Sequence, residues 1–299
     1  MADKIITLDN LKRYDSKIKG LIPNIEYCSD SDVKSLFEVQ VPSNPSEWSL
    51  QDLKSIATDI SENGKNSSVY EAAVNAMNND VKWTVDLTDN TTLTYHIIGI
   101  AHDKLSDSNA KAGLTFQATH SLSKAYKMNT TATNAGGWEQ SNLRTSLNSG
   151  DIWNLFPGHF KNYVMTVDKI TDNRKELDTS NVTTTHDKLF ILSYIEYFPS
   201  LNKLLSSYQY LLNEGSQYDF YLNKITDSNV NNDYFLQLCK TSNSSLPADG
   251  YNFSDGTIAM YNRSISTRGK YLFMITKSNG TCSDDMASFK FSVCPAWCF

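Results

Sequence analysis

The sequence has no long apolar run of the kind that marks a membrane span or a secretory signal. No stretch approaches the roughly 20 consecutive apolar residues that a membrane-spanning helix needs. The opening segment, MADKIITLDNLKRYDSK, contains no apolar h-region. We therefore expect a protein that is made without classical export and that does not insert into a membrane.

Charge is also scarce, and basic charge in particular. Charged residues make up 20% of the chain, the formal net charge is −6, and no Lys/Arg run occurs. Proteins that bind nucleic acid usually carry a basic patch, so we expect no nucleic-acid partner. The polarity comes instead from Ser, Thr and Asn, a composition common in extracellular and virion proteins.

Cysteines are few, and their number is odd. The chain has five of them, and their wide spacing does not resemble a disulfide framework. Four residues along a strand span about 13 Å, which is too far for a bridge between Cys294 and Cys298. We therefore predict buried free thiols at Cys28, Cys239, Cys282, Cys294 and Cys298.

The motifs of common catalytic and metal sites are missing. None of the five histidines has HxxxH or HExxH spacing, and neither a Gly-rich phosphate loop nor a GxSxG nucleophile elbow occurs. Cys294 and Cys298 alone cannot make a zinc site, and no second cysteine pair lies nearby. We therefore predict no catalytic residue, no metal ligand and no cofactor.

The chain begins with an amphipathic pattern. Ile5, Leu8, Leu11, Ile18 and Leu21 recur at spacings near three and four residues, which predicts a helix over residues 5–22. Gly20 and Pro23 mark its end. Two interpretations stay open: a helix docked on its own domain, or a segment for attachment or oligomerisation, for example as a trimer.

The middle of the chain contains several local patterns. Helices are predicted where apolar residues follow a helical period between caps, and strands where apolar and polar residues alternate. The predicted helices are Trp48–Gly64 (capped by Ser46 or Ser49), Val69–Met77, Trp138–Asn148 and Leu201–Gly215; the predicted strands are Trp83–Leu87, Thr92–Ala101, Leu114–Ala118 and Tyr234–Cys239; Lys188–Tyr197 is predicted core.

The C-terminal stretch predicts a small meander of strands. Ser278-Asn279-Gly280-Thr281 is a hairpin signal, because Asn-Gly accepts the positive φ angles of a type I′ turn. The predicted strands are Thr257–Asn262, Tyr271–Thr276 before the turn and Phe289–Cys294 after it. Exposed Tyr, Ser, Asn and Asp side chains on such a scaffold are typical of an adaptable binding surface.

Four motifs occur in a defined order along the chain. They are WEQSNLRTSLN from Trp138, THDKLFILSYIE from Thr185, Arg263-Ser264 followed by Ser278-Asn279-Gly280, and Val293-Cys294-Pro295-Ala296. Together, from about Trp48 to the end, they resemble a C-type-lectin-fold family of bacteria and their phages, in the formylglycine-generating-enzyme branch. The chain departs from the family pattern at Tyr261-Asn262, where Trp-Leu is usual, and at Ser292, where Gly is usual.

The resemblance implies an α+β, C-type lectin-like fold with small antiparallel sheets, helices and long loops, preceded by an N-terminal helix. The implied parts are residues 1–25 for attachment or oligomerisation, 26–90 as linker and N-terminal part of the domain, and 91–299 as the lectin-like ligand-binding domain. Some members of the family are variable proteins of diversity-generating retroelements, in which adenines in codons of the last strands are rewritten. The resemblance therefore implies a phage or prophage receptor-binding protein with a hypervariable C-terminal surface.

The expected binding residues lie around the terminal hairpin. Large Tyr and Arg side chains supply contact area, and Ser, Thr and Asn adjust hydrogen bonds. The candidates are Tyr261, Asn262, Arg268, Tyr271, Phe273, Thr281, Ser283, Asp284, Asp285, Ser288, Phe289 and Phe291. The alternation of Phe289 with Phe291, and of Tyr271 with Phe273, is equally typical of strands that face a core, so both interpretations stay open.

The expected partner is a host-surface ligand, either a protein or a glycan, bound without a cofactor. The motifs of calcium-dependent sugar-binding lectins are missing, so we expect no calcium-mediated glycan site of that kind. The expected location is a phage virion, or the bacterial cytoplasm in which the protein is made. Two alternatives stay open: an oxidase of the formylglycine-generating type, which would use paired cysteines that Cys294 and Cys298 match poorly, and a purely structural tail protein. We expect a protein that is not an enzyme.

Overall fold

The chain divides into two units, residues 1–40 and residues 41–299. A computed structural model describes residues 39–173, 180–198, 206–222, 224–225 and 232–299. The predicted helix over residues 5–22, the attachment segment 1–25 and Cys28 lie outside the described residues. The second unit is a mixed α+β structure with several small antiparallel sheets.

Most helices of the second unit are short. They are α1 Leu50–Asn63, α2 Tyr70–Asn78, α3 Asn142–Asn148, α4 Asp151–Leu155, α5 Gly158–Lys161, α6 Tyr194–Tyr197, α7 Asp219–Leu222 and α8 Asn232–Cys239. A 3-10 helix, Ser206–Glu214, lies in the described part of the predicted helix Leu201–Gly215. Among the described residues, no helix is both long and apolar enough to cross a membrane.

The strands form four separate sheets. They are β1 Lys82–Asp86, β2 Thr92–Ile100, β3 Leu114–Ala118, β4 Tyr126–Lys127, β5 Val167–Asp172, β6 Val182–Asp187, β7 Leu189–Phe190, β8 Ala259–Ile265, β9 Leu272–Lys277, β10 Cys282–Met286, β11 Lys290–Phe291 and β12 Ala296–Cys298. The largest sheet has the order β1-β2-β3-β12-β7, a second has the order β10-β9-β8, and β4 pairs with β11 and β5 with β6. Every pair of these strands is antiparallel.

Helix α1 forms where the sequence predicts it, because both of its ends carry strong local signals. The Ser49 hydroxyl accepts a hydrogen bond from the backbone N–H of Asp52, and the Asp52 carboxylate accepts one from the backbone N–H of Ser49 at 2.8 Å. This reciprocal pair is a capping box. The helix ends at Gly64, whose φ of 57° suits glycine. Its buried side chains are Leu53, Ile56, Ala57 and Ile60.

The C-terminal strand β12 lies inside the five-stranded sheet, between β3 and β7. Trp297 on this strand is fully buried, and its ring lies 5.1 Å from Tyr95 and 5.3 Å from Phe160 between centroids. Edge-to-face pairs of this kind add about 0.5–1.5 kcal/mol each beyond the area they bury. The end of the chain therefore closes the main apolar core.

The segment Tyr234–Cys239 corrects one prediction, because it belongs to helix α8 and not to a strand. Phe235, Leu238 and Cys239 are all fully buried. These positions are spaced three and four residues apart, the period of one helical face. Burial of this helical face therefore outweighs the short alternation of apolar and polar residues that predicted a strand.

The terminal hairpin corrects two further predictions. The strand after the Asn-Gly turn is β10, Cys282–Met286, and not Phe289–Cys294. The turn itself has positive φ only at Gly280, at 76°, whereas a type I′ turn needs it at Asn279 as well. The Gly280 N–H donates to the Lys277 carbonyl at 2.8 Å, and the Lys277 N–H donates to the Thr281 carbonyl at 2.9 Å. These bonds describe a three-residue loop with glycine at the left-handed position.

Candidate binding surface

Strand β8 is buried along its whole length, and a buried arginine fixes its position. The Arg263 guanidinium donates to both carboxylate oxygens of Glu196, with an Nη2–Oε1 distance of 2.9 Å. Its Nη2 also donates to the backbone carbonyl of Glu214 at 2.8 Å. A charge fully removed from water persists only with such compensation, so Arg263 ties β8 to helix α6 and to the 3-10 helix.

A buried lysine extends this network. The Lys169 ammonium donates to Asp103 Oδ1 and to Glu196 Oε1, both at 2.8 Å, and to the Tyr218 hydroxyl at 2.9 Å. Glu196 thus serves both cations. We call Asp103, Lys169, Glu196, Glu214 and Arg263 the buried charge cluster; each is 4% exposed or less.

The two outer carboxylates of this cluster differ in their pKa. Burial raises the pKa of Asp103, but the neighbouring Lys169 outweighs it and lowers that pKa to about 2. Burial raises the pKa of Glu214 to about 7, although Arg263 opposes the shift. The Glu214 carboxylate accepts hydrogen bonds from the hydroxyls of Ser193 and Ser264. Glu214 therefore titrates near neutral pH.

A second buried acid joins two of the sequence motifs. The Trp138 indole N–H donates to Asp187 Oδ2 at 2.8 Å, and Arg144 Nε donates to Asp187 Oδ1 at 2.6 Å. Trp138 and Asp187 are fully buried. Ser193, Glu196, Arg263 and Ser264, which belong to these motifs, also contact one another inside the protein. These four residues are buried and form no exposed site.

Two of the predicted binding residues, Tyr261 and Asn262, are buried on β8. The Tyr261 hydroxyl lies 3.0 Å from the Met286 carbonyl and 2.9 Å from the Phe289 carbonyl, so it holds the connection after β10. The Asn262 side chain accepts a hydrogen bond from the Thr276 hydroxyl at 2.9 Å. Their side chains are used inside the protein, which removes both residues from the candidate surface.

Phe273 and Phe291 are also buried, at 0% and 1% exposure. Phe273 lies on β9, the central strand of its sheet, where both faces are covered. The Phe291 ring packs at right angles to the Tyr261 ring, with centroids 5.1 Å apart. For these two aromatics the core interpretation of the alternating pattern holds, and they too leave the candidate surface.

The other predicted residues retain exposure. Arg268, Tyr271 and Thr281 are exposed, and Ser283, Asp284, Asp285, Ser288 and Phe289 are partly exposed. Alternation along β10 places Asp284 on one face of the strand and Ser283 and Asp285 on the other. The structure therefore does not bring all eight into one patch.

One group of side chains does come together around Asp284. Its Oδ2 accepts hydrogen bonds from the Ser266 hydroxyl at 2.7 Å and the Tyr208 hydroxyl at 2.9 Å. Arg268 Nη1 lies 3.5 Å from the same oxygen and 3.4 Å from the Tyr208 hydroxyl. We call Tyr208, Ser266, Arg268 and Asp284 the Arg268 cluster. The Arg268 side chain is 57% exposed, so most of its donors face solvent.

Sequence reasoning missed Tyr208, because it lies 60 residues before Arg268. The segment around it is rich in Tyr, but this composition does not reveal the contact. The 3-10 helix carries Tyr208 near its start and Glu214 at its end. It therefore connects the Arg268 cluster to the buried charge cluster.

Phe289 belongs to a separate aromatic patch that sequence reasoning also missed. Its ring stacks on Tyr251 with centroids 4.9 Å apart and an interplanar angle of 12°. Tyr251 is 39% exposed. Phe253 packs beside Tyr251 at 5.0 Å, and Lys277 lies over the Phe253 ring at 4.2 Å. This patch offers ring faces and a cation beside the terminal hairpin.

The described cysteines are free, as predicted, although Cys282 is partly exposed. Cys294 Sγ donates to the Ala118 carbonyl at 2.9 Å, whereas Cys298 Sγ lies 3.4 Å from the Thr115 hydroxyl. Burial raises the pKa of both thiols well above its ordinary value. Within the described ranges, no group of three or more His, Cys, Asp or Glu side chains is arranged to hold a metal ion.

Comparison with known proteins places most of this unit in one family. The family described as a domain of unknown function, DUF6273, matches residues 100–298. No curated protein and no solved structure matches the chain significantly. The matched range contains both the buried charge cluster and the Arg268 cluster. Because the match covers more than half of the sequence, the chain belongs to the DUF6273 family.

Proposed function

We propose that this protein is a receptor- or ligand-binding protein of a phage or prophage, with a C-type lectin fold and a C-terminal binding surface. Recognition uses surface complementarity and requires no catalytic residue and no cofactor. The expected ligand is a protein or glycan on the host surface. Residues 1–25 would attach the protein to the tail or assemble it as a trimer.

The observation that carries this proposal is the Arg268 cluster. Its arginine is largely solvent-exposed, yet Tyr208 and Asp284 lie within 3.5 Å of one guanidinium nitrogen. Arginine is enriched in binding hot spots, and here the buried Tyr208 and Ser266 hold the Asp284 carboxylate beside which Arg268 lies. Tyr271, 40% exposed, lies three residues from Arg268 and supplies further contact area.

The rigid support of this surface is the second argument. Arg268 lies three residues after the end of β8, and β8 is fixed from inside by the pairing of Arg263 with Glu196. A surface loop on a fixed scaffold can vary in sequence without loss of the fold. This separation suits a protein whose surface is diversified by a retroelement. The exposed candidates for diversification are Arg268, Tyr271, Thr281, Ser283, Asp284, Asp285 and Ser288.

The retroelement part of the proposal is tested on DNA. The locus is sequenced, and a near-copy of the region that codes for Tyr261–Phe299 is sought beside a reverse transcriptase gene. A copy that differs only at adenines supports diversification and identifies the variable residues. If the substituted codons fall on buried positions such as Phe273, or if no copy exists, diversification of this surface is rejected.

The binding part is tested with labelled full-length protein on intact host bacteria. We expect Arg268→Ala to weaken binding about tenfold or more, because truncation of a central anchor costs about 1–2 kcal/mol or more. Lys270→Ala is the matched control, because Lys270 is an exposed cation two residues away. Absence of wild-type binding, or equal binding by both variants, would instead favour a purely structural tail protein.

A further inference from the structure

Strand β1 is an edge of the five-stranded sheet, and three of its five residues direct their backbone N–H and carbonyl groups outward. On β2, Thr94 uses its N–H and carbonyl on the side away from β1, towards His120 Nε2 at 3.1 Å and the Thr119 N–H at 2.8 Å. The pair Thr84–Thr94 is therefore of the non-hydrogen-bonded kind. Three residues after Thr84, the Leu87 N–H donates to the Thr91 carbonyl, so Leu87 and Thr91 form a hydrogen-bonded pair. Because the two kinds of pair alternate along antiparallel strands, this bond also makes Thr84–Thr94 a non-hydrogen-bonded pair.

It follows that Lys82, Thr84 and Asp86 direct their N–H and carbonyl groups to the free edge. Within the part of the chain that the structure describes, none of these six backbone groups has a hydrogen-bond partner. All three residues are exposed. An edge with a row of unpaired groups is a template for another strand.

The free edge borders an open groove of about 490 Å³. All five residues of β1 line it, and its walls come from the start of α1 and from α5. Its lining includes Trp48, Trp83, Val85 and Phe160, all of them buried residues, together with Ser49 and His159. The groove thus leaves open space beside the unpaired backbone groups of β1.

The charges on β1 are complementary to themselves. If a second β1 pairs antiparallel about a two-fold axis at Thr84, Lys82 lies opposite Asp86 of the partner subunit. Opposite charges at directly facing positions stabilise a strand pair, and like charges destabilise it. On the other face, Trp83 lies opposite Val85 of the partner subunit. Because the outward groups belong to Lys82, Thr84 and Asp86, the same axis forms six reciprocal backbone hydrogen bonds.

We propose that β1 pairs with β1 of a second copy of this chain, which joins the two five-stranded sheets into one continuous sheet. The proposed partner is a second copy because β1, with the pattern Lys-x-Thr-x-Asp, places each Lys opposite an Asp when it pairs antiparallel with itself. Strand β10, an edge strand of the same length, lacks this property. A two-fold axis at Asp284 would place that carboxylate opposite Asp284 of the partner subunit, and like charges would repel.

The test measures the molar mass of the full-length chain by sedimentation velocity over a range of concentrations. Lys82→Asp places two acids opposite each other, and Asp86→Lys places two bases opposite each other. We expect each single variant to have half the mass of the wild type at concentrations where the wild type is fully associated. If residues 1–25 also assemble the chain, the single variants should keep that smaller assembly and lose only the further association through β1.

A mixture of the two single variants tests whether β1 pairs with a second β1. The Lys82→Asp and Asp86→Lys variants carry opposite charges along β1, so an equimolar mixture should regain the wild-type mass. The double variant Lys82→Asp/Asp86→Lys should regain it alone. Lys65→Asp makes the same charge change at an exposed site beyond the far end of α1 and should leave the mass unchanged.

Several outcomes overturn the proposal. A wild-type mass that does not change with concentration or with either substitution shows that β1 pairs with no second copy. Loss of mass in the single variants without recovery in the mixture shows that another segment or protein occupies the edge. Thermal melts of the single variants show whether they fold. Because Lys82 and Asp86 have exposed side chains, we expect both variants to unfold at nearly the wild-type temperature.

Discussion

The buried charge cluster and the Arg268 cluster use similar side chains, but their arginines lie in opposite environments. Each contains an arginine, a carboxylate and a nearby serine and tyrosine, and Arg263 and Arg268 are only five residues apart. Inside, Arg263 is fully buried and pairs with both oxygens of Glu196. Outside, the Arg268 side chain is 57% exposed, and its Nη1 lies 3.4 Å from the Tyr208 hydroxyl and 3.5 Å from the Asp284 carboxylate.

The difference shows that burial, and not residue type, determines whether an arginine stabilises the fold. In the dry interior an ion pair that loses one partner leaves a charge that water cannot solvate. At the surface, water and salt replace a lost partner at little cost. The first cluster is therefore a fixed part of the fold, whereas Arg268 in the second can exchange its contacts at little cost.

The largest expected effect is that of Arg263→Met. The substitution leaves the buried Glu196 with Lys169 as its remaining cationic partner, and it removes the donor that Arg263 provides to the Glu214 carbonyl. We expect a loss of about 3–5 kcal/mol in the free energy of unfolding, measured by urea denaturation.

Arg268→Met is the control for this measurement, with an expected loss of about 1 kcal/mol or less. Similar losses for the two variants would contradict the assignment of a structural role to the inner arginine and a contact role to the outer one. If Arg263→Met does not fold, Glu196→Gln, which keeps the hydrogen-bonding shape but removes a charge, should show an intermediate loss.

The next effect concerns the pH dependence that Glu214 contributes. Its pKa is raised from 4.5 to about 7 in the folded protein, so the folded state holds this proton more tightly than the unfolded state. The associated penalty is absent below about pH 4.5, grows as the pH rises, and is complete above about pH 7. A shift of this size corresponds to about 3 kcal/mol.

The substitution Glu214→Gln isolates this contribution, because other titrating groups are common to both proteins. Urea denaturation is measured from pH 5 to pH 8. The free energy of unfolding of the wild type should fall relative to that of the variant as the pH rises. A difference that is constant with pH, or that grows in favour of the wild type, would show that Glu214 is ionised without penalty.

Local sequence signals predicted the N-terminal part of the described fold well. Helix α1 carries its own capping box and a terminal glycine, and the β1–β2 hairpin alternates clearly between apolar and polar residues. Each of these signals lies within a few residues of the structure it predicts. The structure confirms both elements within one or two residues.

The C-terminal surface was harder to predict, because long-range contacts decide which side chains remain exposed. The sequence of β8 looks amphipathic, yet Leu192 of a distant segment covers it through hydrogen bonds to Arg263 and Asn262. Strand β10 is rich in polar residues and gave no strand signal, although it pairs with β9 over five residues. Tertiary burial overrides strand propensity in both cases.

Two tyrosines, one buried and one exposed, allow the effect of burial to be measured on a single hydroxyl group. Tyr261→Phe removes a buried hydroxyl that lies near the carbonyls of Met286 and Phe289. We expect a loss of about 1–3 kcal/mol, because the carbonyls lose a donor away from water. Tyr271→Phe alters an exposed ring, and its expected effect stays within about 0.5 kcal/mol. Thermal or urea unfolding measures both, and equal effects would place Tyr261 in contact with solvent.

The smallest expected effect is the coupling between Arg268 and Asp284. A double-mutant cycle with Arg268→Met and Asp284→Asn should give a coupling energy of about 0.2–1 kcal/mol, because the arginine is more than half exposed. Raising the salt concentration from about 0.05 to 1 M should reduce it, since the Debye length falls to about 3 Å at 1 M. A coupling above this range, or one that salt does not change, would mean that the outer pair is shielded from water like the inner one. The Arg268 cluster would then be a second structural anchor, and its arginine would not be available to a ligand.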